Sequence, residues 1–128
     1  MSTHISLEHG VYTTPRLINM TPHPLHIRRI DGEVETVEPC GEVVRRAART
    51  VVGPQIGPFG TVTTQLGSLQ DLPAPVPGTI YIVSLLAAQA AWALGREDVV
   101  SPGAPVRDEK GQIVGCLGLT VAPSRAGL

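Results

Sequence analysis

Apolar and polar positions change their spacing sharply across residues 78–103, and that change is the strongest structural signal in the chain. Ile80, Tyr81, Ile82 and Val83 are a short run of β-branched and aromatic residues entered from Pro77 and Gly78, which predicts a strand. Ser84 then stands where a helix N-cap belongs, its hydroxyl able to accept from a free N–H of the first turn. Residues 85–94 are almost entirely Ala and Leu, strong helix formers, and Gly95 ends them. Asp98, Val99 and Val100 predict a second strand, closed by Ser101, Pro102 and Gly103. A crossover through one helix is the usual connection between parallel strands.

Elsewhere the pattern is β-like. Residues 17–20 predict a strand that runs into Thr21-Pro22-His23-Pro24. Residues 25–30 and 33–37 flank Asp31-Gly32, a strong two-residue hairpin signal. Residues 42–50 mix a valine pair with Arg45, Arg46, Ala47 and Ala48; Gly41 and Val51-Val52-Gly53 bracket them with β chemistry and favour a strand. Residues 59–66 read as another strand through Thr61, Thr63 and Thr64. A proline-rich connector fills 72–78, and 106–119 fold naturally as a hairpin over Glu109-Lys110-Gly111. Residues 1–16 and 122–128 read as loose tails around a single globular domain, 17–121. The expected class is α+β, or a small α/β fold: a β-rich N-terminal part, one β-α-β crossover with a short buried helix, and a C-terminal hairpin.

The helix carries a second message. Gln89 is the only polar position in residues 85–94. A helix that is apolar all round is covered on every side, and a single sheet covers one face. Either other strands wrap over the rest or a second subunit does, so self-association through residues 85–94 is an expectation. Exposed alanines are the plainer alternative. The run is too short to span a membrane, which takes roughly 20 apolar residues.

Composition narrows the function classes. The chain has 128 residues, enough for one domain with its own core. A formal net charge of −1 gives no general attraction to nucleic acid or anionic lipid. The aromatic residues are one Phe, one Trp and two Tyr, few platforms for stacking bases. Neither a nucleic-acid nor a membrane partner is expected. Cys40 and Cys116 are too far apart in sequence for a metal-type pair. Residues 1–10 lack the basic start and apolar run of a signal peptide, so reduced thiols and a cytoplasmic location are the simpler reading. No phosphate loop, dinucleotide fingerprint, nucleophile elbow or metal-binding histidine pair occurs, so no cofactor, no metal and no catalytic set is expected.

The candidate site comes from topology. If strands 17–20, 80–83 and 98–100 are parallel neighbours, Asn19, Thr21, His23, Ser84 and Ser101 converge on their carboxyl edge, where open α/β sheets bind ligands. Two prolines hold the His23 backbone at low entropic cost, and Asn19 offers both a donor and an acceptor. Arg107 follows closely enough to pair with an anion. Cap and turn are the default roles of the same serines, and a stiff strand end that of the loop.

Taken in order, Ile18-Asn19-Met20-Thr21-Pro22-His23-Pro24, Ile80-Tyr81-Ile82-Val83-Ser84, Asp98-Val99-Val100-Ser101-Pro102-Gly103 and Val106-Arg107-Asp108-Glu109 resemble a group of small bacterial and phage proteins of unassigned function. The resemblance covers most of the chain after residue 16 and implies no activity and no catalytic residue. A phage or bacterial origin implies one role, sequestering a nucleotide-like defence signal. Three classes follow: a binding protein for a small anionic, nucleotide-like ligand; an assembly protein forming a homo-oligomer without ligand; and a small enzyme using His23 beside Ser84 or Asp108.

Overall fold

The computed structural model describes residues 14–127 in full and, ahead of them, the backbone of residues 7–8 and 11–12. The expectation of a loose tail over residues 1–16 falls largely outside the described residues. Strands β1 (Leu7–Glu8) and β2 (Val11–Tyr12) pair as an antiparallel ladder. The body follows as β3 (Arg16–Asn19), β4 (Leu25–Arg28), β5 (Val34–Val37), β6 (Arg45–Val52), β7 (Val62–Gln70), β8 (Thr79–Ile82), α1 (Leu85–Ala93), β9 (Val99–Arg107) and β10 (Ile113–Thr120). The class is α+β, with one short helix among the described residues and a C-terminal hairpin, β9–β10.

Six strands form one mixed sheet in the order β3-β8-β9-β10-β4-β5. β3, β8 and β9 are parallel neighbours, with Asn19 in register with Ile82 and Ile82 with Val100. β10 runs antiparallel to β9 and parallel to β4, and β5 closes back on β4 through the Asp31-Gly32 turn. Past its last strand the sheet curls onto its first: Pro39 bridges Asn19, and the Cys40 N–H donates to the Asn19 carbonyl at 2.8 Å. The result is barrel-like.

This closure splits the core in two. Inside the curled sheet lie Ile27, Ile80, Ile82, Val100 and Cys116, with Leu17, Leu25 and Val37 around them. On the other face of β3, β8 and β9, Met20, Tyr81, Val83 and Val99 meet Ala87, Ala88 and Ala91 of α1. A strand buried on both faces loses its alternation, which is why Thr79–Ile82 is buried at all four positions.

The helix begins at Ser84, whose Oγ accepts from the Ala87 N–H at 3.3 Å. Its alanines let it sit close against the sheet, and Trp92 donates from Nε1 to the Val99 carbonyl at 2.7 Å. The base of β6–β7 covers part of its outer side through Leu69 and an Arg46 Nη1 bond to the Leu86 carbonyl at 3.4 Å. Within one copy of the chain the cover is incomplete: Leu85, Leu86, Gln89 and Leu94 remain exposed. Beyond that base, β6 and β7 form a separate antiparallel ribbon.

Two further differences have clear causes. β9 does not stop at Ser101-Pro102-Gly103 but continues to Arg107, paired with β10 on one side only, so Pro102 and Pro105 take part without being needed as donors on the other. Leu119 and Cys116 both face the inner cluster, which strict alternation forbids, and Gly118 at φ +56° lies where the facing changes. Gly103 packs there against the Leu117 and Gly118 carbonyls with no space for a Cβ. At the other end, residues 122–127 form turns tied to the body by buried Ala122 and by an Arg125 bond to the Glu97 carbonyl at 2.8 Å.

Candidate functional site

The parallel run of β3, β8 and β9 brings the ends of all three strands to one edge, the arrangement on which the candidate site depends. What stands there differs from residue to residue. Asn19 is 1% exposed, and all four hydrogen-bonding positions of its amide are used. Nδ2 donates to the carbonyls of His23 at 2.8 Å and Val37 at 3.0 Å, while Oδ1 accepts from the Thr21 N–H at 2.9 Å and the Thr21 hydroxyl at 2.7 Å. The Thr21 hydroxyl also lies 3.2 Å from the His23 carbonyl. Asn19 and Thr21 therefore build the loop rather than read a ligand. The backbone of His23 belongs to this clasp and its imidazole is exposed.

Ser84 caps α1 and is exposed at the end of β8. Ser101 is 1% exposed, and its Oγ has no hydrogen-bond partner among the described residues. By strand alternation it shares the helix side of the sheet with Val99. Arg107 is not beside Ser101. Six residues of extended chain, roughly 20 Å, carry it to the tip of the β9–β10 hairpin, where Nη1 donates to the Gly111 carbonyl at 2.8 Å. Asp108 is occupied in the same turn, its Oδ1 accepting from the Lys110 and Gln112 N–H groups at 2.9 and 3.0 Å.

The hairpin rises past the ends of β3 and β8 and leaves a groove against the start of β4. Its cavity volume is about 620 Å³. Pro24 and Leu25 form one wall, Pro102, Gly103 and Pro105 the second, and Ile113 through Cys116 the third. The lining is mainly apolar. It includes the Cys116 thiol and the imidazole of His26, whose Nδ1 lies 2.9 Å from the Thr36 hydroxyl across the β4–β5 pair. None of the six candidate residues lines this groove. Their neighbours do: Pro24 closes the 21–24 loop, Pro102 follows Ser101, and Ile113 is in register with Arg107. His26 was missed because it lies within a strand, one residue from buried Ile27; its place directly after the proline loop was the available signal.

At the opposite end of the sheet Arg96 and Asp98 form a two-pronged ion pair, 2.8 and 2.9 Å, with Asp98 3% exposed. The hydrogen bonds it donates to Asp98 hold the Arg96 guanidinium above its usual pKa, against the opposing effect of burial. A further bond from Arg96 to the Pro73 carbonyl, 2.9 Å, fastens the proline-rich connector, so the pair has a structural task.

Among the described residues, no three His, Cys, Asp or Glu side chains are placed to share a metal ion, and no helix is long and apolar enough to cross a membrane. Compared with protein-family models, curated proteins and solved structures, the chain matches none.

Proposed function

We propose that this is a non-catalytic binding protein that holds a small anionic, nucleotide-like molecule in the groove at the carboxyl edge. The observation that carries the reading is the meeting of Pro24, at the end of the 21–24 loop, with Pro102 and Gly103 of β9 on one groove, at the edge where parallel strands end. Its volume falls within the range typical of small-molecule sites. Proline, isoleucine and valine walls suit a flat ring. His26 in the wall and Arg107 at the hairpin tip suit the charged end, since Arg107 uses one guanidinium nitrogen on Gly111 and keeps the others.

Native mass spectrometry of protein purified from cells tests it. A small-molecule adduct released on mild denaturation, and lost in Val114→Trp, supports the reading. An adduct that survives groove filling, or none at all, counts against it. The second reading, an assembly protein without ligand, is favoured by a different observation, the exposed apolar surface described next.

A further inference from the structure

The β6–β7 ribbon stands off the body. Of the nine residues of β7 only Leu69, at the base, is half-buried, and the others are exposed. A free two-stranded ribbon is marginally stable in water. Its distal end is apolar as well: Val52, Ile56, Phe59 and Val62 are 88%, 63%, 69% and 70% exposed. Scattered exposed apolar residues are ordinary, but four on one tip mark a contact surface.

Charge indicates what it contacts. Residues 43–70 carry Arg45, Arg46 and Arg49 and no acidic residue. Residues 31–42 carry Asp31, Glu33, Glu35, Glu38 and Glu42 and no basic residue. The three arginines lie on β6, whose edge away from β7 has no strand beside it among the described residues. Three of the acids lie on or next to β5, the last strand of the six-stranded sheet. β5 meets β3 at its C-terminal end, through the Val37 carbonyl and at Pro39. Along residues 34–36 it has no second strand hydrogen-bonded to it among the described residues, so that stretch of its outer backbone edge is open. An open edge presents unpaired N–H and C=O groups to another strand.

We propose that β6 of one copy pairs along β5 of a second copy, which makes the ribbon an assembly arm. Like charges oppose β5 pairing with β5 and β6 pairing with β6, while opposite charges favour the mixed pair. Each copy then offers one arm and one edge, and association closes by reciprocal exchange or as a ring. The proposal is independent of the ligand reading, because neither strand lines the groove.

Sedimentation equilibrium on the full chain tests it. The native chain should be oligomeric at low salt and dissociate as salt rises. Arg49→Glu and Glu35→Arg, both at exposed positions, should each weaken association roughly tenfold or more. The double variant Arg49→Glu/Glu35→Arg should recover most of it. Circular dichroism of each variant checks that the fold is retained. A monomeric native chain overturns the proposal, as does an oligomer indifferent to both single reversals or a double variant that fails to recover. An oligomer dispersed by Leu85→Glu but not by charge reversal also overturns it, placing the interface on α1.

Discussion

The side-chain amide of Asn19, at the end of the first strand of the main sheet, donates to the carbonyl of Val37 at the end of the last, 3.0 Å away. With the Cys40 N–H on the Asn19 carbonyl, that bond joins the two ends of the sheet. Asn19→Asp replaces both Nδ2 donors with an acceptor and turns it toward two carbonyls, Val37 and His23. A loss of about 3 kcal/mol is expected from buried groups left without partners, read as a lower urea midpoint. An unchanged midpoint would show that the sheet closes without this amide.

Ser101 gives a prediction of opposite sign. Its hydroxyl is buried without a partner, so burial costs free energy that no bond returns. Ser101→Ala removes the hydroxyl and leaves a very small void, and should stabilise the fold by about 1 kcal/mol. Thermal melts of the two proteins decide it. A lower melting temperature in the variant would mean the hydroxyl is engaged in solution.

What could be read in advance was local. Asp31-Gly32 located the β4–β5 hairpin, Ser84 and Gly95 located the ends of α1, and the 80–83 run placed β8, because each signal lies within a few residues of its element. The crossover gave β8 and β9 as parallel, as found, whereas β3 beside them in the same direction was only the supposition on which the site rested, and the structure has it so. The rest depended on distant partners. β9 runs through Ser101-Pro102-Gly103 because β10 supplies its ladder on one side, and a turn signal cannot reveal that. Asn19 looked like a ligand reader because its partner, Val37, is 18 residues away and meets it only when the sheet closes. The apolar circumference of α1 suggested full burial, yet the sheet needs only the side carrying Ala87, Ala88 and Ala91. The groove escaped notice for the same reason: its walls come from three separate stretches of chain.

Asp98→Asn tests the second end of the sheet. Asp98 is buried and takes two bonds from Arg96, which is 20% exposed and also fastens Pro73. Neutralising the acid leaves the guanidinium without its counter-charge, and about 3 kcal/mol should be lost, near the lower end for a broken buried pair because Arg96 keeps part of its water. The sign with pH follows from the raised pKa of Arg96: its contribution is complete below the ordinary arginine value and fades only as pH rises through the higher one. Across neutral pH the loss should therefore stay constant, and a loss that varied there would assign it to another group.

The tip of the arm separates assembly from folding. Ile56 and Phe59 exchange backbone bonds of 2.9 Å in both directions, so the turn that presents Phe59 is shaped by the main chain and not by the ring. Phe59 is 69% exposed and belongs to neither core cluster. Phe59→Ser should then leave the melting temperature of the dilute, dissociated chain within about a degree or two of native, as surface changes within ±0.5 kcal/mol do. At high protein concentration the same substitution should weaken association, because a buried phenyl contributes about 1.5–3 kcal/mol. Sedimentation at two concentrations reads both effects. A dilute variant that melts well below native would make Phe59 part of the fold, and an oligomer of undiminished affinity would leave the tip outside the interface.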